Sequence, residues 1–261
     1  MSNLRIIADD LGLAECVNDG IALGLREGWL GGASLMANGE AFDDAVKRVG
    51  EADKENIGAH LVLVEEKPLS KPGEVSSLVG TDGLLHKNHK AFFFRYVLGL
   101  ISEAEIRKEF RAQLEIFLEA GIRPAFINSH QHLHLLPGIM VITIDLAKEL
   151  EIPYIRIVSE PFSGGAVRRG LQLVFLNFLS WLAKKKIKKA GLLCNDIFVG
   201  FVNAGNLNEG DIQQAKSLAG KYPDKIIELG CHPGYENEEL RRKYEHWGDF
   251  NWLNEIRILE S

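Results

Sequence analysis

Two adjacent carboxylates and five histidines carry most of the chemical potential of this chain. They are Asp9 and Asp10 near the start, His60, the string Asn-Ser-His-Gln-His-Leu-His that contains His130, His132 and His134, and His232 in Cys-His-Pro-Gly. A catalytic divalent-metal site commonly takes three protein ligands and leaves a position for water or substrate. Where no thiolate is on offer, imidazole and carboxylate are the usual donors. Asp10, His60 and one histidine of the string supply such a set. Asp9 is then placed to accept a proton from metal-bound water, which requires different environments for the two carboxylates. In an extended segment the alternate histidines of the string point to one side. Taken singly these signals are weak, because an Asp-Asp pair also makes a surface turn and a lone histidine also fills a core. Their strength lies in joint placement.

That placement depends on the elements around them. Short apolar runs recur seven times, at residues 4–8, 33–37, 57–63, 125–128, 154–158, 197–202 and 226–231. Runs of this length without strict alternation suit strands buried on both faces, as in a parallel sheet. Helical periodicity fills residues 18–27, 41–49, 103–120, 139–150 and 209–220, with Ser102 as an N-cap and Gly121 as a stop. The alternation predicts an α/β fold, barrel or open sheet. Each polar cluster ends or follows a predicted strand at its C-terminal end, the edge that carries the active site in α/β barrels. Asn38, one residue past the second run, is a further site-lining candidate.

The chain has 261 residues, 46% hydrophobic and 25% charged, with a net charge of −6. The length suits one barrel of about 250 residues. No fixed-period repeat or low-complexity linker divides residues 1–261, so one domain is expected. The acidic balance disfavours nucleic acid as a partner. Cys16, Cys194 and Cys231 form no CxxC pair, so reduced thiols are expected rather than a disulfide framework. The first residues show no basic stretch followed by an apolar one, so no signal peptide is expected and the cytoplasm is the default location.

Two segments depart from the repeat. Residues 64–101 form a long insert with Lys67-Pro68, Lys71-Pro72-Gly73 and the aromatic cluster Phe92-Phe93-Phe94 with Tyr96. Long connections after barrel strands are often functional loops, so a lid or an interfacial element is expected there. Residues 171–190 are apolar and then basic, ending with Lys184, Lys185, Lys186, Lys188 and Lys189. Gln172, Asn177 and Ser180 interrupt the apolar part, which is too short to span a bilayer. Two readings stay open: a buried barrel helix with solvated lysines, or an element lying at the inner membrane surface near anionic headgroups.

Ala-Asp-Asp-Leu-Gly, Gly-Ala-His-Leu-Val-Leu, the histidine string and Cys-His-Pro-Gly, in this order, resemble the YdjC-like carbohydrate deacetylases, the family of chitooligosaccharide deacetylase. The resemblance covers nearly the whole chain and implies a distorted (β/α) barrel, commonly of seven strands. It also implies removal of the acetyl group from an N-acetylated amino sugar. A divalent metal, usually magnesium, would be held by Asp10, His60 and His130, with Asp9 as general base and His232 as general acid. Arg156 would border the site, and His132 and His134 match positions less clearly assigned. Leu11 and Ala59 stand where the family usually has phenylalanine and leucine. The segments around residues 59–65, 92–96 and 171–190 resemble the hopanoid-biosynthesis branch, which implies a lipid-linked sugar.

Other readings remain at this level. Two histidines and a carboxylate suit zinc or another transition metal as well as magnesium. A His-x-His string also occurs in amidohydrolases and metal phosphoesterases, usually at the first strand, where Asp9-Asp10 stands here. A non-catalytic sugar or lipid binder would keep the site shape, and a homodimer is compatible with the sequence.

Overall fold

Strands buried on both faces form the centre of the protein. The computed structural model describes residues 3–50, 54–162 and 167–260, without the side chains of 167 and 168. Of the expected single domain, residues 1–2, 51–53, 163–166 and 261 therefore lie outside the described residues. The strands are β1 (Leu4–Leu11), β2 (Gly32–Leu35), β3 (Ile57–Leu61), β4 (Ile127–Ser129), β5 (Ile197–Val199) and β6 (Ile227–Cys231). They pair in parallel in the order β4-β3-β2-β1-β6-β5. Every residue of β2, β3, β4 and β6 is buried, which explains runs without polar alternation.

Helices cover this sheet. They are α1 (Glu15–Glu27), α2 (Phe42–Arg48), α3 (His89–Val97), α4 (Glu103–Glu119), α5 (Pro137–Glu149), α6 (Val167–Lys189), α7 (Glu209–Lys221), α8 (Glu238–Lys243) and α9 (Trp252–Glu260). In α4 the spacing of Ile106, Phe110, Leu114 and Phe117 puts all four on the buried face. Each contributes about 1.5–3 kcal/mol before entropic costs. Ser102 caps this helix by accepting from the Glu105 amide, and Gly121 at φ 73° follows its end.

The structure has six laddered strands among the described residues, where seven are expected. Residues 154–158 make single bridges instead, Ile155 to Ile127 and Tyr154 to Leu193. The reason is local. Asn195 takes both backbone groups of Ile157, and Ser180 takes both of Val158, so side chains occupy the positions of a ladder. The Phe198 amide then donates to Ser159. This extended segment therefore lies between β4 and β5 and closes the curled sheet into a distorted barrel.

Strand register sets the site. Ala8 is opposite Cys231 and Ala33, and His60 is opposite Asn128. Asp9, Asp10, Ser34, His60, Asn128 and His232 thus converge on one edge. The insert after β3 is fastened at its root: Gln113 of α4 bonds both backbone groups of Val62, and Glu109 accepts from the Leu69 and Ser70 amides. No helix among the described residues is long and apolar enough to cross a membrane.

Candidate metal centre and catalytic site

A register shift between Ala8 and Leu11 breaks the regular alternation of β1 where the two carboxylates stand. Asp10 takes φ 64°, a left-handed conformation that aspartate tolerates better than bulky residues. Asp9 and Asp10 face different partners as a result. Both are buried, at 2% and 1% exposure, which rules out a surface turn.

Asp9 is held by three side chains. Ser34 donates to its Oδ1 at 2.6 Å and Asn128 Nδ2 at 3.0 Å, while Arg156 donates to Oδ2 at 2.5 Å. Burial alone would raise the Asp9 pKa, but the Arg156 guanidinium, with His60 and His232, holds it well below the carboxylate range. Arg156 in turn is fixed by Glu228, whose other oxygen accepts from Tyr154.

Asp10 forms the second centre. Its Oδ1 lies 3.2 Å from His60 Nε2 and 3.1 Å from His130 Nδ1. One ligand atom from each of Asp10, His60 and His130 lies within 4.8 Å of the others, and all three residues are buried. The tautomer of His60 follows from its neighbour. Asp9 can only accept, so the Asn128 amide nitrogen must face it and Asn128 Oδ1 accepts from His60 Nδ1 at 2.7 Å. With Nδ1 committed to Asn128, His60 Nε2 is left as the ligand atom, buried without a hydrogen-bond partner and 3.2 Å from Asp10 Oδ1. A nitrogen and a carboxylate oxygen so placed can share a cation. His130 differs, because each of its ring nitrogens faces a carboxylate oxygen, Asp10 on one side and Glu65 on the other, so an ion there would displace a proton. Burial would lower its pKa, but Asp10 and Glu65 raise it well above the ordinary value. The three side chains fit a divalent ion.

The histidine string is not extended. Residues His130–Leu135 form a tight turn in which Gln131 and His132 have φ 55° and 56°. That turn sends the three histidines apart, so only His130 joins Asp10. His132 packs against Phe198 and Phe201, with ring centroids 6.1 and 5.8 Å away. His134 is structural: it bonds Ser129 Oγ at 2.7 Å and the Arg156 carbonyl at 2.9 Å. Burial pushes its pKa down to about 4, so it serves as a neutral brace.

His232 follows β6, with its backbone amide donating to Glu255 of α9 and its ring 5.2 Å from that of Phe250. The next turn packs closely on α1, since a Cβ on Gly20 would come within 2.7 Å of Gly234 Cα. Asn38 donates to the Lys67 carbonyl at 2.8 Å and so ties the end of β2 to the insert. Eight buried side-chain atoms among the described residues have no hydrogen-bond partner, and five belong to Asn38, His60, His132, Arg156 and His232. Such a concentration marks a place built to meet a ligand.

Several contributors were not apparent from spacing. Ser34 and Asn128 are small polar residues inside buried strands. Glu65, at φ 74°, reaches His130 Nε2 at 3.2 Å and accepts from Trp247 Nε1 at 2.9 Å. Trp247, Tyr244, Phe250 and Trp252 form an aromatic wall beside it. For Glu65, the visible signals were its place at the end of the 59–65 segment and in the Val64-Glu65-Glu66 run that begins three residues past β3.

The chain is 30% identical over 265 residues to a carbohydrate deacetylase of Oceanobacillus iheyensis, covering 99% of this chain and 96% of that one. It is 30% identical to a carbohydrate deacetylase of Xenopus laevis over 99% of this chain and 91% of the other. For the carbohydrate deacetylases of Clostridium beijerinckii and Brevibacillus brevis, the matched segment spans 62% and 65% of the relative's length, under two thirds, at 36% and 37% identity. A crystal structure from Enterococcus faecalis V583, described provisionally as a cellobiose-phosphate cleavage protein, shares the fold, with a TM-score of 0.73 over 99% of this chain and 90% of the other at 20% identity. The YdjC-like protein family matches residues 3–261, and the chain belongs to that family.

Proposed function

We propose that this protein is a carbohydrate deacetylase that hydrolyses the N-acetyl group of an amino sugar with the help of a divalent ion. Family membership and the full-length relatives support the deacetylase part. The observation that carries the rest is the convergence of Asp10, His60 and His130 on one point, with Asp9 close by. A divalent ion held there would act as a Lewis acid on the acetyl carbonyl and on water. Magnesium is what the family resemblance implies, while the donor set also suits zinc or another transition metal.

The remaining chemistry belongs to the chain. Asp9, kept ionised by Arg156, accepts the proton of the attacking water. His232 donates a proton to the departing amine nitrogen. Arg156 acts through Asp9, which it holds in place from the buried side of the site. The aromatic wall at Trp247, ring centroid 5.4 Å from His130, offers a surface for the apolar face of a pyranose. We place the protein in the cytoplasm, where its free cysteines match a reducing compartment.

The test is acetate release from N-acetylglucosamine oligomers by chelator-stripped protein, with magnesium, zinc or no metal restored. Metal-dependent release that is lost together with metal binding in His60→Asn and His130→Asn is the expected result. Release of phosphate from a phosphorylated disaccharide, without acetate release from any N-acetyl sugar, would overturn the proposal.

A further inference from the structure

Surface helices normally expose polar residues, yet α6 is apolar on two opposite faces. Leu173, Leu179, Ala183 and Ile187 face the core at 4% exposure or less. Leu171, Val174, Phe175, Phe178 and Trp181 fall on the other side at helical spacing and are 42–86% exposed. The core side answers one reading of residues 171–190, and the solvent side leaves the other open. Ordinary packing explains only the first stripe.

The second stripe does not stand alone. Phe93 of α3 meets Phe175 of α6 edge-on at 5.7 Å, which brings the insert against this helix. On α3 and the turn after it, Phe94, Val97, Leu98 and Leu100 are 52–71% exposed. Scattered single exposures need no explanation, but two touching elements with apolar outer faces mark an interaction surface.

Charge indicates the occupant. The chain carries −6 overall, yet residues 87–101 and 167–193 contain no aspartate or glutamate. Lysines and arginines are their only formal charges. Lys185, Lys186, Lys188 and Lys189 are exposed, and Lys185 Nζ sits 3.6 Å above the Trp181 ring. An apolar, aromatic stripe running into lysines suits the boundary between acyl chains and anionic headgroups. Both helices also begin near the site. Arg169 of α6 donates to the Phe201 carbonyl, and the Phe201 ring is 5.8 Å from that of His132. His89, the first residue of α3, feels the charges of Glu65 and His130.

We propose that the outer face shared by α3 and α6 docks on an anionic lipid bilayer, with the mouth of the Asp10–His60–His130 site turned to its headgroups. The docking itself is independent of the deacetylase reading.

The experiment is flotation of the full-length protein with vesicles of phosphatidylcholine alone and of phosphatidylcholine mixed with phosphatidylglycerol. Wild type is expected to float with the mixed vesicles and much less with the neutral ones. Leu171→Glu with Phe178→Glu should weaken binding at least about tenfold, as should Lys185→Glu with Lys186→Glu. All these side chains are exposed, so thermal stability and turnover of a soluble N-acetyl sugar should be unchanged. Vesicle binding without turnover of any N-acetyl sugar would sink the enzymatic reading and leave docking intact. Failure of the wild type to bind mixed vesicles would overturn the docking proposal. If a dimer were then found that Leu171→Glu with Phe178→Glu dissociates, the face would belong to a second copy of the chain.

Discussion

Glu65 carries its carboxylate to the outer nitrogen of His130, 3.2 Å from Nε2, while the inner Nδ1 faces Asp10. A carboxylate behind a ligating histidine fixes the tautomer and raises the basicity of the ligating nitrogen. Glu65→Gln should therefore weaken divalent-metal binding about 10–100-fold. Calorimetric titration of the stripped protein reads this directly. An unchanged dissociation constant would remove Glu65 from the metal centre.

Arg156 is 0% exposed and bridges two buried carboxylates, Asp9 and Glu228. Removing one partner of a buried ionic group leaves uncompensated charge, at a cost of about 3–5 kcal/mol. Arg156→Met should lose that much in urea unfolding at neutral pH, and adding Glu228→Gln should recover part of it. The folded pKa of Asp9 is depressed, so its stabilising contribution is present above its unfolded pKa, near 3.9, and is lost as pH falls through the lower folded value. Without Arg156 the carboxyl protonates more readily. The gap between variant and wild type should narrow below about pH 4. A gap that is constant with pH would show that the ion pair is not its source.

His232 is assigned to proton donation rather than to metal binding. His232→Ala should lower kcat by about 10²–10⁴ while metal affinity stays near that of wild type. The two measurements together discriminate, because loss of a ligand would move both. Full activity in this variant would refute the acid assignment.

Much of this architecture was legible because it follows from burial. Strands hidden on both faces read as unbroken apolar runs, and Ser102 and Gly121 bracket α4 as caps should. Residues 154–158 misled for the same reason: their apolar pattern is that of a strand, but Asn195 and Ser180 claim the backbone groups of Ile157 and Val158. The histidine string misled because nothing in its composition announces left-handed conformations at Gln131 and His132. Asp10, His60 and His130 were recoverable from ligand chemistry and family resemblance. Ser34, Asn128 and Glu65 were not, since their roles arise from register and from a side chain crossing between loops. In α6 the apolar composition is obvious, but which half faces the core depends on the packing of its neighbours.

Glu160 offers a pH signature outside the candidate metal centre. It is 3% exposed, and burial pushes its pKa up to about 7 although the amides of Phe201, Val202 and Gly200 oppose the shift. One of them, Phe201, donates to Glu160 Oε2 at 2.7 Å. The group is an acid whose folded pKa lies above its unfolded value, near 4.3. The folded state thus binds the proton more tightly, and stability falls as pH rises from about 4 to about 7. The effect reaches at most about 3.6 kcal/mol by pH 8. Glu160→Gln mimics the protonated form, so its stability should change less with pH and exceed that of wild type above neutrality. Chemical denaturation at a series of pH values between these limits measures both curves. If the variant were instead destabilised most at high pH, the ionised carboxylate would be the form the fold prefers, and the inference from burial would be wrong.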